Sequence, residues 1–70
     1  MSVASSYVVT GMTCQHCVQA VTEEVSTVSG VVDVDVDLHS GRLTVVSDAD
    51  LPFAAVADAV GEAGYAVAPA

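Results

Sequence analysis

VVDVDVDLHSGRLTVVS, residues 31–47, is the stretch on which the fold turns. Val32, Val34, Val36 and Leu38 are expected on one side, with Asp33, Asp35 and Asp37 on the other. A period of two with one apolar side is the mark of a strand buried on a single face. His39, Ser40 and Gly41 break the alternation as a turn, and residues 42–47 return as a second strand. The pair reads as a hairpin. The aspartates are expected on a solvated sheet face. A calcium loop needs carboxylates that converge on one point around a turn glycine, whereas a strand spreads them along a line.

On the N-terminal side of the hairpin the period changes. Val18, Val21, Val25 and Val28 are spaced 3, 4 and 3 apart, which predicts a helix over residues 15–28 with one apolar face. Gly30 is its expected stop. Before it, residues 5–10 (SSYVVT) read as a short strand ended by Gly11. Beyond the hairpin, Asp48 or Asp50 is expected to cap a second helix, with Pro52 near its first turn. Phe53, Val56, Ala57 and Val60 would form that helix's apolar face, and Gly61 and Gly64 weaken its end. Residues 65–68 read as a last strand. The order is βαββαβ, which fits an α+β, ferredoxin-like sandwich: a four-stranded antiparallel sheet with two helices on one face. All 70 residues are expected to form a single domain.

Charge narrows the partners. One Arg against nine acidic residues gives a formal net charge of −8. Nucleic acid needs Lys and Arg to neutralise phosphates, so it is not an expected partner. Anionic membrane surfaces are disfavoured for the same reason. No stretch approaches the roughly 18 apolar residues of a membrane span. The N-terminal residues lack a basic segment followed by an apolar run, so a cytoplasmic location is expected. Two Cys, at positions 14 and 17, are too few for a disulfide framework.

Those two Cys carry the chemistry. Separated by two residues, they can aim both sulfurs at one ion, and thiolates select soft metals such as Cu(I) or Zn(II). They lie where a strand has ended and a helix begins. Unpaired N–H groups and the positive end of the helix dipole stabilise thiolate there. At least one thiol is therefore expected to titrate below the usual value of about 8.5, with Cys14, the more exposed of the two in the loop, as the choice. A closed zinc site needs four ligands. His16, inside the motif, cannot easily share an ion with both flanking sulfurs, and His39 lies on a separate turn. Two ligands leave an open site, which Cu(I) tolerates better than Zn(II).

The full stretch GMTCQHC, residues 11–17, resembles the GMTCxxC motif of heavy-metal-associated domains, and the whole chain is similar to bacterial copper chaperones of the CopZ type. The resemblance implies Cu(I) held by Cys14 and Cys17 and delivered to the metal-binding domain of a copper-transporting P-type ATPase. A copper-sensing repressor is a second implied recipient. Family members that carry zinc often place an acidic residue before the first Cys; Thr13 stands there in this chain. Met12 is read as core packing under the loop, with its thioether as an alternative ligand. His16 is read either as an exposed residue at the helix start or as a group that tunes the thiolates. In βαββαβ topology the first β–α loop, the hairpin turn and the last α–β loop share one end, and strand four lies beside strand one. Tyr65 should thus start close to the metal loop, while His39 lies toward the far edge.

Other classes remain in view. A thiol–disulfide oxidoreductase also uses CxxC at a helix start, but the chain looks short for that fold, has no Pro between the two Cys and no Trp before them. No nucleophile–base pair or phosphate loop suggests an enzyme. Met1 and a domain ending at Ala70 read as a free carrier, with an excised ATPase domain or a mercury or zinc carrier as alternatives. Excess Cu(I) is expected to link two copies into a dimer that salt strengthens, because screening relieves their mutual repulsion.

Overall fold

The computed structural model describes residues 2–70. The elements are β1 (Val3–Thr10), α1 (Gln15–Ser26), β2 (Val31–Val36), β3 (Arg42–Ser47), α2 (Phe53–Glu62) and β4 (Ala66–Pro69). The strands form one antiparallel sheet in the order β2-β3-β1-β4. Alternation decides which face is covered. Leu43, Val45 and Ser47 of β3 are buried, as are Tyr7 and Val9 of β1, while Arg42, Ser6 and Thr10 are exposed. Val21 and Val25 of α1 and Val56 and Val60 of α2 meet these strand residues in one cluster, so both helices pack on the same face.

The hairpin departs from strict alternation at one point. Val31 pairs with Ser47 and Asp33 with Val46, so Val32 is an extra residue opposite a single step of β3. This bulge turns Val31 toward the core and leaves Val32 61% exposed, against the expected inward position. Beyond it Val34 and Val36 face inward as expected, and Asp33 and Asp35 face solvent. The bulge also irregularises an edge strand, which discourages pairing with other chains.

Element ends shift in ways that packing explains. Helix α1 stops at Ser26 with Thr27 as its C-cap, short of Val28 and Gly30, yet Val28 still packs on the core from the following turn. The expected acidic cap of α2 is absent. Asp48 is held at the sheet by its N–H bond to the Gly30 carbonyl (2.8 Å), and Pro52 takes the N-cap position without a side-chain bond. On α2 the buried set is Val56, Ala59 and Val60; Ala57 is half-buried and Phe53 is exposed, its ring leaning on Tyr7 at 6.0 Å between centroids.

Candidate metal centre

Cys14 is the N-cap of α1, in extended backbone geometry, and its carbonyl accepts the N–H of Cys17 (3.0 Å) and of Val18 (3.4 Å). A usual cap such as Ser or Asp would spend its side chain on first-turn N–H groups. The Cys14 side chain makes no such bond and stays exposed. One turn on, Cys17 is half-buried. The two sulfurs lie 3.6 Å apart, both as free thiols. With metal–thiolate bonds of about 2.3 Å, that separation subtends about 100° at a shared ion, and linear bonding would need the sulfurs about 1 Å further apart. The arrangement as folded suits a bent, open site.

The sulfur set apart by its surroundings is Cys17, not the expected Cys14. Backbone hydrogen bonding at Thr13 does most to lower the Cys17 pKa, followed by the Tyr65 hydroxyl and the backbone at Cys14; together they bring it to about 6. The Thr13 hydroxyl lies 3.8 Å from the same sulfur. The exposure that favoured Cys14 in the sequence does not decide the outcome; hydrogen-bond partners do. Cys17 is therefore expected to alkylate at a rate that rises through a midpoint near pH 6. Rapid alkylation of the Cys14→Ser variant, followed against pH by mass spectrometry, checks this; a single midpoint at or above about 8.5 contradicts it. The mutual contact pushes the Tyr65 phenol upward, because its hydrogen bond to Cys17 favours the protonated form.

Tyr65 is placed by a helix end. Gly64, at φ +92°, lets its own N–H bond the Gly61 carbonyl (2.9 Å) and the Tyr65 N–H bond the Val60 carbonyl (3.1 Å). This Schellman pair fixes the direction in which the chain leaves α2. The ring then lies over the metal loop: a Cβ on Gly11 would sit 3.2 Å from Tyr65 Cδ1. Gly11, at φ +100°, is thus the seat of the ring. By sequence Gly11 reads only as the end of β1, although a glycine two residues before Thr13 is a signal for close approach.

The remaining candidates separate. Met12 is half-buried and packs against the core. His16 is exposed in the first turn of α1. His39 is exposed in the β2–β3 turn, where its N–H bonds the Asp37 carboxylate (3.0 Å). That turn does reach the metal end, tied to β1 by the Val9 N–H bond to the Gly41 carbonyl (2.8 Å). Among the described residues no group of three or more His, Cys, Asp or Glu side chains converges, and no helix is long and apolar enough to cross a membrane.

The comparisons agree with this geometry. The family model for the heavy-metal-associated domain matches residues 6–66. The copper chaperone CopZ of Bacillus subtilis (strain 168) is 46% identical over 61 residues, which cover 86% of this chain and 88% of that protein. Copper-transporting ATPase 2 of Rhizobium meliloti (strain 1021) is 36% identical over 94% of this chain, a match that takes up 8% of the ATPase. Among solved structures, oxidized MerP from Ralstonia metallidurans CH34 superposes with a TM-score of 0.87 at 30% identity, covering 99% of this chain and 97% of that one. A CopZ metallochaperone superposes with a TM-score of 0.86 at 32% identity, covering 93% and 98%.

Proposed function

The chain belongs to the heavy-metal-associated domain family, and we propose that it is a carrier that binds one Cu(I) through Cys14 and Cys17 and passes it to the metal-binding domain of a copper-transporting P-type ATPase. The observation that carries this reading is the pair of free sulfurs 3.6 Å apart, Cys14 exposed and Cys17 half-buried. Soft thiolates in a low-coordinate site select Cu(I) over metals that demand four ligands. Similarity to a copper chaperone over most of both chains supports the carrier role, and similarity to one segment of a copper-transporting ATPase supports the choice of recipient.

Transfer follows from the open site. Counted from two neutral thiols, binding one Cu⁺ displaces two protons and leaves the centre one unit more negative; with Cys17 near pKa 6, part of that proton loss precedes the metal at neutral pH. A thiolate of the recipient enters at the exposed Cys14 side and makes the ion three-coordinate. The bent disposition of the two sulfurs already suits that state. One of the two cysteines then leaves as a second thiolate of the recipient binds. Copper is never free during the exchange.

Two experiments test the reading. Mixing the Cu(I)-loaded chain with a CxxC-bearing ATPase domain should move copper between them, with NMR shifts at residues 11–17, the β2–β3 turn and Tyr65. Shifts centred on Asp33 and Asp35, or of equal size without copper, would contradict it. Tyr65 should limit access to the ion without binding it. Tyr65→Ala is expected to speed copper loss to a chelator about tenfold with little change in the thiolate charge-transfer spectrum. Unchanged exchange kinetics would make Tyr65 an ordinary strand-end residue.

A further inference from the structure

We propose that the Asp33 carboxylate guards the edge of β2: by bonding the outward N–H of Val34, it closes that edge to the same edge of a second copy of this chain. The sheet has two edges, β2 and β4. β4 is guarded by its length and by proline. It spans four residues, and the Ala70 N–H bonds the Ser6 carbonyl (3.3 Å). By alternation the Pro69 nitrogen then faces away from β1 and offers no donor. β2 lacks this protection. Its sequence, VVDVDV, holds neither Pro nor Lys and is rich in β-branched residues, a composition that favours the addition of another strand.

The backbone shows which groups an added strand would use. The Asp37 N–H points to β3, where it bonds the Arg42 carbonyl (2.9 Å). N–H directions alternate along a strand, so those of Val34 and Val36 point away from the sheet. The bulge at Val32 spoils the start of this edge, but residues 34–36 pair regularly with β3. The Val34 and Val36 side chains are half-buried, so a strand added there would also cover apolar surface. At Val34 the donor is already taken: its N–H bonds Asp33 Oδ1 at 3.0 Å. Asp35 carries the same charge on the same exposed face of the sheet.

Two β2 edges meet most simply about a two-fold axis at Val34, as a self-complementary pair. Each Val34 would donate to the Val34 carbonyl of the other copy, and Asp33 would stand opposite Asp35 of the other copy. Asp33 opposes this pairing twice. Its bond occupies the donor at the axis, and its charge meets a like charge across the pair. Salt screens the repulsion between exposed charges. It does not reach a bond between adjacent residues. The bond is therefore the guard, and the charge adds to it at low salt.

Sedimentation equilibrium of the copper-free, reduced chain tests this, because neither shared metal nor a disulfide then links copies. The wild type should stay monomeric to millimolar concentration, even in molar NaCl, where the Debye length is about 3 Å. Asp33→Ala removes both bond and charge. Asp33→Asn and Asp35→Asn each remove one charge, and the amide oxygen of the former can still accept the Val34 N–H. Both positions are exposed, so all three variants should keep the fold, which far-UV circular dichroism checks. In molar NaCl, Asp33→Ala should dimerise at least about tenfold more tightly than either Asn variant, since two donors are freed per dimer. In that dimer the Val34 amide should exchange its hydrogen more slowly than in the monomer. An Asp33→Ala chain that stays monomeric would overturn the proposal, as would a wild type that dimerises once salt is added. Equal dimerisation of Asp33→Asn would mean that charge alone guards the edge, and a dimer with an unprotected Val34 amide would place the contact elsewhere; either result also overturns it.

Discussion

Cys17→Ser is expected to lower Cu(I) affinity by more than about 100-fold, beyond the 10- to 100-fold typical of changes outside the ligand set. Ser offers a hard hydroxyl in place of a soft thiolate, which leaves Cys14 as the single thiolate donor of the site. Cys14→Ser should lose affinity on the same scale. The two variants should differ in another respect. Cys17 is held near pKa 6 by Thr13 and Tyr65, so Cys14→Ser keeps that thiolate at neutral pH, whereas Cys17→Ser removes it. Competition against a Cu(I) chelator measures the affinities. Wild-type affinity in both variants would move the site elsewhere.

The second large effect concerns the fold. Leu43 is fully buried and is central to the cluster that joins β1, β3 and both helices. Leu43→Ala should cost about 2–5 kcal/mol. A domain of this size holds only about 3–5 kcal/mol of net stability, so a large fraction of the variant should be unfolded at 25 °C. Urea unfolding followed by far-UV circular dichroism checks this. Val32→Thr is the control: Val32 is 61% exposed on the bulge, and its replacement should change stability by less than about 0.5 kcal/mol. A loss at Val32 as large as at Leu43 would mean that strict alternation, without the bulge, describes β2.

That control marks a boundary of what the residues alone reveal. The alternation in residues 31–38 does predict the hairpin, and the valines of α1 at 18, 21 and 25 do form the buried face of a helix. The bulge at Val32 is not visible because the pattern VVDVDV is satisfied equally well by two registers, and only the pairing of Val31 with Ser47 selects one. The cap of α2 fails for a related reason. Asp48 and Asp50 are good caps by type, but the Asp48 N–H is committed to Gly30 across the sheet, a contact between residues far apart in sequence.

The site divides in the same way. The CxxC spacing and the helix start are local, and they place Cys14 and Cys17 together as expected. Proximity of Tyr65 follows from topology, because β4 lies beside β1. The lowering of Cys17 depends first on how the loop backbone at Thr13 meets its sulfur, and then on the Tyr65 hydroxyl, whose ring is seated at Gly11. That is a matter of tertiary placement within a few ångströms, and motif spacing carries no such information.

The most direct test of the carrier reading is an anaerobic competition titration under reducing conditions, with Cu(I) and Zn(II) offered together to the wild-type chain. An open pair of thiolates should take up one Cu(I) per chain at the first equivalent and exclude Zn(II), with the uptake lost in Cys14→Ser and Cys17→Ser. Retention of Zn(II) in the presence of equimolar Cu(I), or Cu(I) uptake that survives loss of both cysteines, would contradict it.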